Sequence, residues 1–234
     1  MRHESARFDR FTPQAAIDGR ADAARLGSGT GLRGLPQRRD RCPSDAERAQ
    51  LDAWLTRIAE DAARSSRPAA PMCANLIMRS RPEMLEADLS VLVKHKVEMV
   101  LASVGSPRKI IGPLHDVGCL VLADVASMEH VHKALDAGVD GIIIPMINSA
   151  EDAEYAIRSC LYPPLGNRGV GLSRAQAFGF GFEKHLADNL ERLEIFLQVE
   201  HYKAVDEIDS ILLQNRLTGV FLGPYDLSGS MGIP

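Results

Sequence analysis

The chain has 234 residues and a formal net charge of −4, which does not favour nucleic acid as a partner. It contains no run of about 18 apolar residues that would cross a membrane and no apolar secretory segment near its start. The four cysteines form no Cys-x-x-Cys pair, which argues against a zinc site or a disulfide framework and favours a reducing compartment. These features predict a cytoplasmic protein with neither a nucleic-acid nor a membrane partner.

Residues 1–43 differ in composition from the rest of the chain. They are rich in Arg, Gly and Pro and show no sustained apolar period. Such a segment buries too little apolar surface to offset its ordering entropy, so we predict a disordered leader, with an anion-binding arm as the alternative. The glycine-rich stretch 27–31 has no strand before it and is a weak phosphate-loop candidate. The ordered domain is predicted to span 44–234, beginning at a capping box from Ser44 to Glu47.

Beyond Ser44, amphipathic segments alternate with short apolar runs. Helical spacing is found in the segment after Ser44, from Ser149 onwards, and at 84–96, 107–117, 128–137, 183–193 and 203–214. Apolar runs predict strands at 72–78, 97–102, 119–125, 141–146, 195–200 and 219–223. Strands that alternate with helices form a parallel sheet, and the fold class is therefore α/β, a TIM (β/α)8-type barrel. With about six strands the barrel is predicted to be incomplete, and its exposed sheet edges favour a homo-oligomer.

Polar residues mark the ends of the last two predicted strands. Glu200 ends the strand at 195–200, with Gln198 two residues before it, and Asp226 follows the strand at 219–223. Ligands of α/β folds bind where parallel strands end, and two carboxylates that converge there suit a hard divalent cation such as Mg²⁺ or Mn²⁺. We therefore predict that Glu200 and Asp226 bind a metal ion. The alternative is that both side chains only cap the helices that follow.

The segment from about residue 126 to residue 234 resembles the HpcH/HpaI aldolases, a family of metal-dependent 2-oxo-acid aldolases. The resemblance rests on the motifs LDAG at 135–138, IPM at 144–146, YPPLGNRGVG at 162–171, QVE at 198–200 and GPYDLS at 223–228. It covers nearly half of the chain.

This resemblance implies a carbon–carbon lyase that acts on a pyruvate-like 2-oxo acid. Glu200 and Asp226 match the metal ligands of the family, and Gln198 matches a polar residue that lines the same pocket. The amides near Tyr225 and Asp226 match those that hold the substrate carboxylate. Arg168 lies in a matched motif and is a candidate for shaping the pocket, while a salt bridge that fixes its loop is the alternative.

Residues from 47 to about 125 resemble a different family, the flavin-dependent nitronate monooxygenases. The resemblance rests on the motifs LDAWL at 51–55, ANLI at 74–77, LEADL at 85–89, KHKV at 94–97 and LVLADV at 120–125. An asparagine like Asn75 lies beside the flavin in that family, so FMN is the alternative cofactor that this resemblance implies.

The chain departs from both family patterns. The arginine that polarises the carbonyl in the aldolases would fall at about Asp124, and no Asp-x-Glu-His stretch supplies their histidine. The monooxygenases need a Gly-Gly-His-Ala-Gly stretch, which is also absent. Three hypotheses follow: an aldolase with intact or impaired activity, an FMN-dependent nitronate monooxygenase, and a non-catalytic truncated or fused barrel.

Overall fold

The computed structural model describes residues 45–64 and 71–233. The predicted leader at 1–43, the glycine-rich stretch at 27–31 and Ser44 of the predicted capping box lie outside these ranges.

The helices and strands alternate along the chain as predicted. The helices are α1 Asp45–Arg64, α2 Pro82–His95, α3 Ile111–Asp116, α4 Met128–Ala137, α5 Ala150–Cys160, α6 Phe182–Arg192, α7 Tyr202–Asp206, α8 Ile208–Leu212 and α9 Pro224–Ser230. Short 3₁₀ segments lie at Pro107–Lys109 and Arg174–Gly179. The strands are β1 Cys73–Ile77, β2 Met99–Ser103, β3 Leu120–Asp124, β4 Gly141–Ile144, β5 Glu194–Val199 and β6 Gly219–Leu222.

The six strands form one parallel sheet in sequence order, from β1 to β6. In the described part of the chain, β1 and β6 each pair on one side only, so the sheet is open. The prediction of a parallel α/β fold of the barrel type with about six strands is therefore confirmed.

The hydrophobic core lies between the sheet and its helices. Alternate residues of β1 to β5 face this core, most clearly in β5, where buried and partly exposed residues alternate. The strand side chains with no exposed surface are branched aliphatic residues or leucine, namely Val100, Val121, Ile142, Ile144, Ile195 and Leu197. Their burial fixes the register of the sheet, because a slip of one residue would turn them to the opposite face.

The register decides which side chains reach the other face. Gln198 pairs with Phe221 of β6, and Phe196 pairs with Ile143 of β4, which pairs in turn with Asp124 of β3. These residues alternate with the core residues of their strands. Asp124 at the end of β3 and Glu200 just after β5 consequently lie at the carboxyl edge of the sheet.

Two predicted helices differ in the structure. The segment at 107–117 is a 3₁₀ turn followed by α3, and the segment at 203–214 is broken into α7 and α8 at Glu207. Glu207 has a backbone outside the helical region (φ −105°, ψ 13°), and its carboxylate accepts a hydrogen bond from the Ala150 N–H at 3.0 Å. This contact ties the break to the start of α5. The helical spacing of the sequence does not predict this break.

No described helix combines the length and the apolar character that crossing a membrane requires.

Candidate active site at the carboxyl edge of the sheet

Glu200 is the buried carboxylate at this edge. It is 8% exposed, and both of its oxygens are held. Oε1 accepts a hydrogen bond from the backbone N–H of Met146 at 2.7 Å, and Oε2 accepts one from the side-chain amide of Gln198 at 2.7 Å. The structure thus brings together two of the residues predicted from the sequence, and the orientation of the carboxylate is fixed by donors from the turn after β4 and from β5.

The turn after β4 has an unusual backbone. Met146 has φ +59° and a side chain that is 62% exposed. Positive φ is uncommon for a residue other than glycine, asparagine or aspartate, and such conformations concentrate at functional sites. At Met146, the positive φ accompanies a backbone N–H that donates a hydrogen bond to the Glu200 carboxylate.

The turn after β6 packs directly against Glu200. A Cβ atom added at Gly223 would lie 2.9 Å from Cβ of Glu200 and 3.1 Å from Nε2 of Gln198, which is too close for ordinary contact. The absence of a side chain at Gly223 therefore allows α9 to begin beside Glu200. Asp226 lies in the first turn of α9, where it is exposed and makes no hydrogen bond or ion pair with the described residues.

A second carboxylate, that of the half-buried Asp124, lies near Glu200. The pKa of its side chain is raised, first by burial and second by the negative charge of Glu200. Two carboxylates that repel each other in this way leave an excess of negative charge at one edge of the sheet. In the sequence, Asp124 stands out only as a departure from the aldolase pattern, because neither composition nor spacing shows that it faces Glu200.

This arrangement fits a hard divalent cation in part. Each held oxygen of Glu200 keeps a further lone pair, and Asp226 and Asp124 add carboxylates at the same edge. No set of three or more His, Cys, Asp or Glu residues with metal-binding geometry occurs in residues 45–64 and 71–233. One or two carboxylates with oxygens from substrate and water are a usual environment for Mg²⁺, so the residues present suit that ion. The metal role of Glu200 and Asp226 stays a prediction.

Tyr225, whose amide was predicted to hold the substrate carboxylate, also lies in the first turn of α9 and is 66% exposed. The backbone N–H groups in the first turn of a helix are not used by the helical ladder and point beyond its amino end. The amides of Tyr225 and Asp226 therefore lie on the side of α9 that begins beside Glu200. Their role in binding a substrate stays a prediction.

Arg168 lies elsewhere. Its guanidinium is 2% exposed, donates to Oδ1 of Asp136 at 2.8 Å and stacks over the Tyr162 ring at 4.5 Å. Asp136 is near the end of α4, which leads into β4, so the pair lies toward the amino edge of the sheet. The structure does not bring Arg168 to Glu200, and it favours the alternative in which a salt bridge fixes the loop. The signal missing from the sequence was the partner, Asp136, which lies 32 positions away.

Asn75, the residue of the flavin alternative, is exposed on β1. Its side-chain oxygen accepts a hydrogen bond from Oγ of Ser103 at 2.8 Å. This bond links the middle of β1 to the last residue of β2 and gives Asn75 a structural role. The resemblance of residues 47–125 to nitronate monooxygenases stays a prediction.

Comparisons with known proteins support the first resemblance. Residues 122–234, just under half of the chain, match the family model of the HpcH/HpaI aldolase/citrate lyase family. A 2-keto-3-deoxy-L-rhamnonate aldolase of Salmonella paratyphi B is 41% identical over 105 residues, which are 44% of this chain and 39% of that protein. The matched segment therefore spans well under half of this curated relative.

Solved structures agree with the fold. An HpcH/HpaI aldolase from Desulfitobacterium hafniense superposes with a TM-score of 0.57 at 29% identity, over 69% of this chain and 64% of that one. A HpcH/HpaI aldolase/citrate lyase family protein from Burkholderia cenocepacia gives a TM-score of 0.59 at 22% identity, over 81% of this chain and 72% of that one, and shows the fold alone. By sequence and by fold, the segment 122–234, which contains Glu200 and Asp226, thus matches the HpcH/HpaI aldolase/citrate lyase family.

Proposed function

We propose that the protein is a metal-dependent carbon–carbon lyase that acts on a pyruvate-like 2-oxo acid. The observation that carries the proposal is Glu200, a buried carboxylate that Met146 and Gln198 hold at the carboxyl edge of the sheet. The match of residues 122–234 to the HpcH/HpaI family supports an aldolase or lyase activity. A curated relative named 2-keto-3-deoxy-L-rhamnonate aldolase supports the same class.

Each residue has a distinct role in this proposal. Glu200 and Asp226 hold a divalent ion, Mg²⁺ or Mn²⁺, and Gln198 fixes the Glu200 carboxylate while it lines the pocket. The amides of Tyr225 and Asp226 bind the carboxylate of the 2-oxo acid. When bound, the ion supplies Lewis-acid stabilisation of the developing enolate charge, which is worth several kcal/mol.

Asp124 makes this site different from the aldolase pattern. An arginine at that position would polarise the substrate carbonyl, whereas a carboxylate cannot donate a hydrogen bond when it is ionised. By analogy with the loss of one donor from an oxyanion hole, we expect a turnover rate about 10²–10³-fold lower than that of an enzyme with the arginine. We therefore propose an enzyme that keeps its metal ligands but turns over its substrate slowly.

The proposal also covers the substrate type, the cellular location and the oligomeric state of the protein. A small-molecule substrate, a cytoplasmic location and a homo-oligomer are consistent with the aldolase family and with the open sheet edges. No observation on the described residues favours the flavin-dependent alternative.

The test is exchange of the methyl protons of pyruvate with solvent deuterium, followed by NMR with and without Mg²⁺ or Mn²⁺. We expect exchange that depends on the ion and falls by more than about 10²-fold in Glu200→Ala, because the variant loses a charge at the site of enolate formation. Glu151→Ala, which removes an exposed carboxylate from α5, serves as the matched control and should keep its activity.

Circular dichroism establishes that both variants are folded. Exchange that proceeds equally in the presence of EDTA, or that persists in folded Glu200→Ala, would overturn the proposal.

A further inference from the structure

A recess lies at the carboxyl edge of the sheet beside β1 and β2, at the opposite end of the strand order from Glu200. It has a volume of about 350 Å³ and lies between the loop after β1 and the loop after β2. Its apolar part is formed by Met78, Pro82 and the buried Leu85, and its polar part by two hydroxyls and two cations, namely Ser80, Ser106, Arg108 and Lys109. None of the proposed aldolase residues lines it.

The loops that form this recess are held closely together. The N–H of Met78 donates to the carbonyl of Ser103 at 2.8 Å, which continues the pairing of β1 and β2 beyond their ends. Gly105 has φ +148°, and a Cβ atom there would lie 2.9 Å from Cβ of Met78. The two walls of the recess are thus fixed relative to one another.

The charge of this recess is opposite to that of the chain as a whole. The chain has a net charge of −4, yet the lining carries Arg108 and Lys109 and no carboxylate. Arg79 lies in the same loop as Ser80. The acidic residues Glu83 and Glu86 of α2 directly follow Pro82 and Leu85 in sequence, but neither of them lines the recess. The local potential therefore favours an anion.

The cations of the lining are available to a ligand. Among the described residues, Arg108 and Lys109 form no hydrogen bond or ion pair, whereas many other basic side chains are paired. Examples are Lys94 with Asp52, Lys133 with Glu129 and Arg168 with Asp136. Arg108 and Lys109 can thus bind a ligand without first breaking an internal ion pair.

We propose that this recess binds the phosphate group of a small phosphorylated molecule. A guanidinium pairs with two phosphate oxygens at once, an ammonium adds a point charge, and the hydroxyls of Ser80 and Ser106 donate to the remaining oxygens. The apolar residues Met78 and Leu85 offer contact to the organic part of the ligand. The site is independent of any cation at Glu200, and it gives the carboxyl edge two subsites of opposite charge preference.

The test is isothermal titration of the full chain with inorganic phosphate in EDTA, at an ionic strength kept constant with sodium chloride. We expect saturable binding to one site with a Kd of about 1 mM, in the range of weak small-anion complexes. Arg108→Gln and Lys109→Gln should each weaken binding about tenfold, because each loses one charge-assisted contact.

Arg108 and Lys109 are themselves exposed, so two control variants distinguish this recess from general anion binding at other exposed cations and from the site at Glu200. Arg174→Gln removes an exposed arginine that makes no ion pair among the described residues, and it should bind phosphate like the wild type. Glu200→Ala should also bind phosphate normally, so failure of the aldolase proposal would leave this one standing. Absence of saturable binding, equal binding in Arg108→Gln and wild type, or equal weakening in Arg174→Gln would overturn it.

Discussion

At the scale of single residues, Gly223 determines how closely the turn after β6 approaches Glu200. Its φ of −98° is open to any residue, so the constraint is space alone. Gly223→Ala would place a methyl group 2.9 Å from Cβ of Glu200 and must displace that side chain or α9. We expect a loss of about 1–3 kcal/mol in the free energy of unfolding, as for other overpacked sites, measured by chemical denaturation.

The same variant should also bind Mg²⁺ more weakly, because its ligands would no longer be aligned. Gly229→Ala is the matched control, since it lies in the same helix and an added Cβ meets no atom within 4 Å. A Gly223→Ala protein as stable as Gly229→Ala would show that the turn after β6 does not press on Glu200.

Asp124 leads to a prediction about stability in the absence of metal. Because its pKa is raised in the folded protein, its ionised form is less favourable there than in the unfolded chain, and it lowers stability at neutral pH. Asp124→Asn should therefore melt at a higher temperature than wild type at pH 7 in EDTA. The difference should vanish as the pH falls below the ordinary aspartate pKa of 3.8.

Thermal melts of both proteins at several pH values check this expectation. Added Mg²⁺ should raise the melting temperature of wild type more than that of Asp124→Asn, because the ion offsets a repulsion that the variant no longer has. A variant that melts below wild type at pH 7 in EDTA would contradict the electrostatic origin of the effect.

At the scale of elements, the carboxylate of Asp52 adds a polar link between α1 and α2 to the apolar packing of Leu55 in the core. Asp52 accepts hydrogen bonds from Nζ of Lys94 at 2.7 Å and lies 2.6 Å from Nε2 of His95. These two contacts lower the pKa of Asp52, with Lys94 as the larger cause. The stabilisation is therefore fully present above the ordinary pKa of 3.8 and is lost as the pH falls through the lower pKa of the folded state.

Asp52→Asn should consequently lower the melting temperature at pH 7, and the difference from wild type should shrink at pH values below about 4. Asp61→Asn, on the same helix, is the control because its ion pairs are with Arg57 and Arg64 of α1 itself. A difference between Asp52→Asn and wild type that does not change with pH would contradict this role of the carboxylate.

The apolar periodicity of the sequence predicted the helices and strands well, because it reflects which residues are buried and burial stabilises these elements. The runs of Val, Ile and Leu in β2 to β5 are buried against helices, so the alternation of strand and helix could be read directly. The break between α7 and α8 could not, since it depends on Glu207 contacting Ala150. Local sequence does not contain a contact that spans 57 positions.

The positions of two residues of the candidate site could be predicted for the same reason. Glu200 and Gln198 follow from their positions at a strand end, and the structure joins them by a hydrogen bond. The N–H of Met146 and the proximity of Asp124 depend on the twist and register of four strands, which a single sequence does not give. Arg168 was grouped with the pocket because it lies in a matched motif, although its contacts are with Asp136 and Tyr162.

At the scale of the molecule, the sheet has two unpaired edges within the described residues. Leu222 of β6 is 56% exposed and Ile77 of β1 is 51% exposed. Unpaired strands with exposed apolar side chains favour association, so we expect the wild type to form oligomers.

Leu222→Lys places a charge on the β6 edge of the sheet and should shift the protein toward monomer, as measured by sedimentation velocity. Leu213→Lys, at a position that is 83% exposed after α8, is the control and should leave association unchanged. A wild type that sediments as a monomer at all concentrations, or equal behaviour of the two variants, would contradict the prediction.

The left-handed turn at Met146 links backbone shape to the chemistry of the neighbouring strand. Its N–H is donated to Glu200, so anything that draws electron density from that carboxylate, including a bound ion, alters the shielding of this one proton. The chemical shift of the Met146 amide proton should therefore report whether an ion is bound at Glu200. NMR can measure it without a substrate and without any substitution.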